Sequence, residues 1–470
     1  EKLIRIYRQY QALCLKRGIV DFEDLIMMAV DLIQKNDDAA IKIQSAYRYI
    51  FIDEYQDLNY GQYVLSKLLA RNNHIFVIGD PDQSIYGFRG SDNKYFNWFE
   101  KDFPGSEKIY LSRNYRSTRT ILDASFQVIS ETSKLDSDSR IFSEIDGARH
   151  LIIEESVSEK AEAVSIGKMI EKLVGGTSFF SMDAGRVTQS DQKEYSFSDF
   201  AILYRTSNQC RVFTEVFEKE GIPYQTADYQ QIFMVDGIKQ LISLLRITAG
   251  METLHDIGVI LDFSKVGQKD KVINKISEDD RVGVPLQDRL RDAAQEKKVP
   301  LRAKTAEQLT RLADQLVLYK SKAAQQPAAG DLTGTIVWLA DDSGISAVID
   351  KNENCRPGFD RIIHLSRLNE NLSSMLDALT LGQDTDVLSS GVEKVSLMTI
   401  HAAKGLEFPV VFLTGCEQGL IPFARDGKHV EDLDEERRLF YVGMTRAMDI
   451  LCLTYAKKRR IYGSQMTRQR

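Results

Sequence analysis

FIDEYQD at residues 51–57 ends an apolar run, Tyr49 to Ile52, in two adjacent acids, Asp53 and Glu54. An uninterrupted hydrophobic strand that stops at carboxylates is the layout of a buried parallel strand whose chemistry sits at its carboxyl end. In phosphoryl transfer to water, one carboxylate must hold magnesium and a neighbouring group must position or deprotonate the nucleophile. Asp53 fits the first role and Glu54 the second. Taken alone, the pair reads more simply as acids at a helix N-terminus, where the helix dipole favours them. No GxxxxGK[ST] loop occurs anywhere in the 470 residues, so the phosphate cradle that accompanies such acids is not part of this sequence.

Working outward, similar runs recur at YRYIFIDE (47–54), HIFVIGD (74–80), FAILYRT (200–206), VSLMTIH (395–401), VVFLTG (410–415) and ILCLTY (450–455). With helical patterns between them, they predict parallel α/β layers covered on both faces. Helices are expected at 59–70, 117–131, 159–174 and 210–220, the last stopped by Gly221 and Pro223 before another short strand. Segment 181–199, rich in Ser, Asp, Gln and Gly, reads as an exposed loop. From 236 to 387 the texture turns helical and charge-rich, with AAQQPAAGD (323–331) as a linker, which predicts a helical insertion between two parts of one α/β domain. No repeat of fixed period is present.

The length is too great for one hydrophobic core and predicts roughly two to four domains. Net charge is −7 with a pI near 5.6, so the field of the whole molecule repels nucleic acid and any such contact must be local. Candidate basic clusters are Arg113, Arg116 and Arg119, then Arg437, Arg438 and Arg446, then Lys457 to Arg460; each fits a solvated helix face equally well. The five cysteines (Cys14, Cys210, Cys355, Cys416, Cys452) form no CxxC pair, against a zinc or iron–sulfur site and against a secreted disulfide framework. No run of about 18 uncharged apolar residues occurs, and EKLIRIYRQY at the start lacks the core of a secretory signal. A cytoplasmic address and no membrane partner are expected.

GDPDQSIYGFRGS (79–91) again starts at a strand end. It places an amide, Gln83, to sense a phosphate, while Tyr86, Phe88 and Arg89 offer the aromatic and cationic surface that suits stacking on single-stranded bases. A Gly-rich turn with partly buried aromatics explains it as well. Trp98, in NKYFNWFEKDF, reads as core. LSRNYRSTRT (111–120) sets Tyr115 and Arg116 before Ser117, an N-cap candidate. A planar guanidinium there can reach a γ-phosphate with Tyr115 stacking on a base, or can simply be a surface Arg on a capped helix. MTIHAAKGLEFPVVFLTG (398–415) groups His401, Lys404, Gly405 and Glu407 in one strand-to-helix crossing, and EERRLFYVGMTRAMDILCLTYAKKRRIYG (435–463) carries Arg446, a candidate arginine finger.

The DExQD box, GDxDQSIYGFRG, NYRS, ILYR, T-x-H-x-x-KGLEFP and EERRLxYVxxTRA occur in this order. Together they closely resemble the UvrD/Rep/PcrA-like superfamily 1 DNA helicases, most strongly over 45–130, 195–250 and 390–463; GIVDFEDLI (18–26) resembles the segment before the DExQD strand. The resemblance implies an α/β fold of two RecA-like parallel-sheet P-loop NTPase domains, the first incomplete, with a helical insertion in the second. The implied boundaries are 1–108 for the rest of the first domain, 109–235 and 388–470 for the two parts of the second, and 236–387 for the insertion. It further implies an ATP-dependent motor that moves 3′ to 5′ along single-stranded DNA and separates duplex DNA, in repair or replication. Asp53 would hold Mg²⁺ and Glu54 activate water. Gln83 and Arg116 would contact the γ-phosphate, Tyr115 would stack on adenine, Glu407 would lie near the ribose, and Arg446 would be the finger. Phe88 stands where relatives often carry a base-stacking Trp. Tyr86, Phe88, Arg89, His401 and Lys404 would form the DNA side.

Three features depart from the family pattern. The opening half of the first domain, with its phosphate loop, is not present, so residue 1 is expected to be an internal start and the chain to be inactive alone. The insertion keeps a similar entry, FMVDGIKQLISLLRI (233–247), but shows no RGIG-like hairpin. The sequence stops soon after KKRRIYG, where a partner-binding tail can follow. Two other readings share these residues: a non-catalytic DNA-binding remnant of a helicase, and the motor subunit of a recombination helicase–nuclease.

Overall fold

Most of the apolar runs pair as parallel strands. The computed structural model describes residues 2–17, 20–130, 141–145, 151–175, 195–227, 229–278, 284–296, 300–324, 332–382, 388, 392–424, 430–461 and 464–467. The chain divides into two compact units, Glu1–Thr226 with Ser390–Arg470, and Ala227–Ser389.

In the first unit, helices α1 (Lys2–Arg17), α2 (Phe22–Lys35) and α3 (Asp37–Ala46) lead into β1 (Tyr49–Ile52), which pairs in parallel with β2 (His74–Val77) across α4 (Tyr60–Ala70). Sequence reading assigned no helix before β1. The signal was there: Asp21 caps α2 and accepts from the Asp24 amide at 2.8 Å, while the Asp24 carboxylate accepts from the Asp21 amide at 3.2 Å, a capping box. Both strands were expected to be covered on both faces. Instead Tyr49, Phe51 and Phe76 stand 56%, 73% and 52% exposed, with Phe51 and Phe76 in ring contact at 5.9 Å. Only the face of Ile50 and Ile52 is half-buried.

The second sheet meets the expectation. Its order is β5 (Leu151–Ser156), β10 (Ala447–Ala456), β9 (Phe408–Leu413), β6 (Phe200–Tyr204), β8 (Val395–Thr399), β7 (Tyr224–Thr226), every pair parallel. Phe200, Ile202, Val395, Leu397, Val410, Phe412, Ile450 and Cys452 form its core with Ala163, Ile166 and Ile170 of α7 (Glu159–Leu173) and Phe213, Val216 and Phe217 of α8 (Cys210–Glu220). β7 and β8 are neighbours, with Tyr224 opposite Val395, and the whole second unit lies between them in sequence. Short β3 (Arg113–Asn114) pairs with β4 (Phe142–Ser143), and β11 (Lys458–Ile461) forms an antiparallel hairpin with β12 (Ser464–Thr467). Among the described residues, this unit also holds the α-helices α5 (Lys94–Asp102), α6 (Arg119–Ile129) and α19 (Leu433–Met444).

Where β9 and β10 end, Arg459 is buried with two carboxylates. Its Nη2 donates to Glu162 Oε2 at 2.5 Å and its Nε to Glu417 Oε1 at 2.6 Å. Thr454 Oγ1 and the amides of Gly415 and Ala456 complete the set. This surplus of negative charge holds the Arg459 guanidinium above its ordinary pKa, against the desolvation that opposes it.

The second unit is helical, from α9 (Tyr229–Met234) to α18 (Leu372–Leu381). Its core joins Leu241 and Leu245 of α10 (Ile238–Ala249), Leu309 and Leu316 of α14 (Ala303–Ala324), and Ile336, Ile362 and Met375. Of the expected 323–331 linker, Ala323 and Ala324 belong to α14 and the rest lies outside the described residues, as does most of the expected 181–199 loop. No described helix is long and apolar enough to cross a membrane.

Candidate nucleotide and nucleic-acid site

At the carboxyl end of β1 the chain leaves the sheet through Glu54, whose φ of 51° and ψ of 43° place a non-glycine residue in the left-handed region. Such a conformation persists only where the surroundings impose it. Here the Glu54 amide donates to Asp53 Oδ1 at 2.9 Å, the Asp57 amide closes a turn onto Glu54 O at 2.9 Å, and the buried Gln56 amide donates to Glu54 Oε2. Gln56 also accepts from the Asp80 amide at 3.0 Å, joining the DExQD loop to the end of β2. A Cβ on Gly79 would lie 2.5 Å from Gln56 Oε1 and 2.9 Å from Phe96, so the two loops meet only over glycine. Asp80 accepts from Gln83 Nε2 at 2.8 Å and from the Asp82 amide at 3.0 Å, and burial outweighs these bonds and raises its carboxyl.

Lys404 reaches this acidic edge from the turn after β8. Its Nζ donates to Asp57 Oδ2 at 2.5 Å and to Gln83 O at 2.8 Å, and lies 3.3 Å from Glu54 Oε2. Burial lifts the Asp57 carboxyl above its usual range and Lys404 pulls the other way. On the adjoining side Arg116 Nε donates to Glu407 Oε2 at 2.5 Å. Arg446 is buried; its Nε, Nη1 and Nη2 donate to Val442 O, Leu406 O and Thr445 Oγ1 at 3.0, 3.1 and 3.1 Å. Burial, then the charge of Arg116, brings the Arg446 guanidinium down to about 10, and Glu54 and Glu407 act on it in the opposite sense. Tyr115 is exposed, with the Arg113 guanidinium 5.0 Å from its ring centre. Ser117 is not the N-cap: Thr118 holds that position without a side-chain cap bond, and Ser117 Oγ donates to Ala447 O at 2.7 Å while the Asn114 side chain accepts from the Arg116 and Ser117 amides.

A second cluster adjoins the first. Phe88 meets the His401 ring edge-on at 5.6 Å, Tyr86 lies 6.0 Å from Phe88 and 6.1 Å from His401, and the Arg89 guanidinium sits 5.2 Å from Tyr86 and 5.5 Å from Phe88. Phe88 is 67% exposed. Burial, then the charges of Arg205 and Arg89, lowers His401 to about 4, so it is neutral at pH 7. Of the five residues expected on a DNA side, four gather here. Lys404 stands apart, turned into the acids but with its Nζ 5.5 Å from the Tyr86 ring. Trp98 packs edge-on against Tyr63 and Tyr95 at 5.8 and 5.7 Å while keeping one side in solvent.

Sequence reading did not single out Asp57, Gln56, Asp80 or Glu435, and it took Arg438 only as one member of a basic cluster. The spare acid in DEYQD and the i, i+3 pair in EERR were the available signals. The basic clusters are mostly neutralised within the unit: Arg113 pairs with Glu144 at 2.5 Å, Lys457 with Glu155 at 2.5 Å, Arg437 with Asp434 at 3.7 Å, and Arg459 is buried with its two acids.

Residues 1–104 match the family model of the UvrD/REP helicase N-terminal domain, and residues 109–331 and 345–458 match that of the UvrD-like helicase C-terminal domain. The ATP-dependent DNA helicase PcrA of Staphylococcus aureus is 32% identical over 97% of this chain, and that of Staphylococcus epidermidis 31% identical over 97%. The chain spans 62% of the length of each. The two matched segments are the ones that Lys404 ties together at the acidic edge, and by the extent of these matches the chain belongs to the UvrD-like helicase family.

Proposed function

We propose that this chain forms the hydrolytic edge and the strand-gripping surface of an ATP-dependent DNA helicase that moves 3′ to 5′ on single-stranded DNA. The observation that carries the reading is Lys404: a side chain from the second family segment bonds Asp57 and the Gln83 carbonyl in the first, while His401, three residues before it, meets Phe88 edge-on. Chemistry at the acids and contact at the aromatics are thereby joined by one short turn. The functional division we assign is 1–108, 109–235 with 388–470, and the insertion 236–387.

In this reading Glu54 orients and deprotonates the attacking water, Gln83 and Arg116 meet the γ-phosphate, Tyr115 stacks on adenine and Glu407 lies by the ribose. Arg446 neutralises charge in the transition state, and Tyr86, Phe88, Arg89 and His401 hold bases. Exchange of the Arg116–Glu407 pair for phosphate contacts frees the Arg116 fork. Magnesium fits the donors present: Asp53 is an exposed carboxylate at the strand end, and no group of three or more ligating side chains is assembled among the described residues. That suits an ion that takes one or two carboxylates and completes its shell with phosphates and water. Bound there, it would supply charge neutralisation at the transferring phosphoryl group.

Turnover in this reading requires a phosphate-binding loop that the 470 residues do not contain. The uncovered face of Tyr49, Phe51 and Phe76 supports this, since an α/β segment bearing such a loop would bury it. The test compares the 470-residue chain with the same chain joined to a GxxxxGK[ST]-bearing segment, using ATP, magnesium and oligo-dT. The joined form is expected to hydrolyse ATP and to lose roughly a hundredfold or more in Glu54→Gln, in keeping with loss of a general base. It should unwind duplexes with 3′ tails. Robust DNA-stimulated turnover by the 470 residues alone would overturn the dependence, and unwinding from 5′ tails only would overturn the polarity.

A further inference from the structure

We propose that Glu435 and Arg438 are positioning residues that hold the Ser84–Gly87 backbone in the shape that presents Tyr86 and Phe88 to single-stranded nucleic acid. The proposal rests on the nucleic-acid reading above. Glu435 and Arg438 are one turn apart on α19, so their side chains share a face of the helix. Arg438 Nε donates to Ser84 O at 2.7 Å, and Glu435 Oε1 accepts from the Gly87 amide at 3.0 Å. Both bonds carry a charge on one partner, which makes them stronger and shorter than neutral ones.

The remaining backbone of this loop is held as well. Gln83 O accepts from Lys404 at 2.8 Å, Ser84 Oγ donates to Gln56 O at 3.3 Å, and Ile85 is fully buried. Carbonyls 83 and 84 and amide 87 are therefore each gripped by a side chain of the second family segment, on either side of Tyr86. The approach is close: a Cβ on Gly87 would lie 2.4 Å from Glu435 Oε2, so any larger residue there would push that carboxylate off the amide. The Asp432 side chain fixes the Glu435 end by accepting from its amide at 2.9 Å, and burial of the Glu435 carboxyl raises its pKa.

The experiment uses the 470-residue chain and a 20-mer of dT, with fluorescence anisotropy over a salt series and hydrogen exchange at residues 84–90. Glu435→Ala and Arg438→Ala should each weaken dT binding about tenfold, equal to about 1.4 kcal/mol. They should do so without changing the salt slope, because no phosphate contact is lost, and should speed exchange at 84–90 about tenfold. Glu435→Gln, which keeps an acceptor for the Gly87 amide, should stay within about threefold of the parent. A salt slope lowered by about 0.7 in Arg438→Ala would make Arg438 a direct phosphate ligand and overturn the positioning role. Unchanged exchange at 84–90 with normal dT binding overturns the clamp alone. A folded parent chain that fails to bind dT overturns the reading on which the proposal rests.

Discussion

Replacing Lys404 by Ala removes the only cation among the described residues that meets Asp57, and the cost follows from where the two groups sit. The Lys404 side chain is 6% exposed and that of Asp57 16%. Breaking one partner out of a buried pair costs about 3–5 kcal/mol, since the other charge stays behind uncompensated. Glu54, half in solvent, adds little, and partial access of water to Asp57 points to the lower end, about 3 kcal/mol. The loss depends on pH in a definite sense. The folded-state pKa of Asp57 is already raised by burial, and without Lys404 it rises further. Between the unfolded value, about 3.9, and the folded one, the native state binds more protons than the unfolded state, so stability falls as pH rises through that window. Lys404→Ala should therefore be most destabilised at pH 8 and recover toward the parent in a measurement at pH 4.5, as the pH falls through that window and Asp57 takes up a proton. Urea unfolding in a Trp338→Phe background, which leaves Trp98 as the only tryptophan, reads the first unit. Asp57→Asn in the Lys404→Ala chain should restore about 1.5–3 kcal/mol, a coupling expected for residues in contact. A loss equal at both pH values and additive with Asp57→Asn would refute the reasoning.

Arg459→Met should cost about 3–5 kcal/mol by stranding Glu162 and Glu417 together, with most of it regained when both are also made Gln; a neutral Arg459→Met in urea unfolding would show the cluster to be hydrated. His401, depressed to about 4, makes the folded state lose stability as pH falls from 6.5 through 4, and His401→Asn should flatten that part of the stability–pH curve. In the same variant series, dT affinity of the parent should be level from pH 6.5 to 8 in anisotropy. Phe88→Ala should lower dT affinity by about 1–3 kcal/mol, the cost of one lost stacking platform, while leaving the urea midpoint unchanged.

The large sheet was legible because β6, β8, β9 and β10 are buried on both faces, and an uninterrupted run such as FAILY has few other uses. The same pattern misled at β1 and β2: apolar residues record a face that can be covered, and here one of those faces meets solvent. β5 escaped notice because LIIEES carries two acids before its last residue: it is an edge strand that leaves Ile152, Ile153 and Glu155 exposed, with Tyr455 and Lys457 pairing with Glu155 at that edge. At the site, the residue types were readable but not the partners. Nothing in HAAKG says that Lys404 turns to Asp57 rather than outward, since that depends on a contact across 347 residues. Ser117 and Thr118 are both sound cap residues by type, yet Thr118 takes the position without a side-chain bond and Ser117 turns to the Ala447 carbonyl.

The pairing of β7 with β8 gives the second unit a simple topological description. Two adjacent parallel strands always need a crossover, commonly a single helix of a dozen residues or so. Here that crossover is Ala227–Ser389 with a core of its own. The sheet asks only that the chain leave after Thr226 and return at Val395 in register with Tyr224. Length and content between those points are free to change without disturbing a single strand pair, which makes this connection a natural port for module exchange: a short helix spliced there should leave the six-stranded sheet intact, and a different helical body could be grafted in its place.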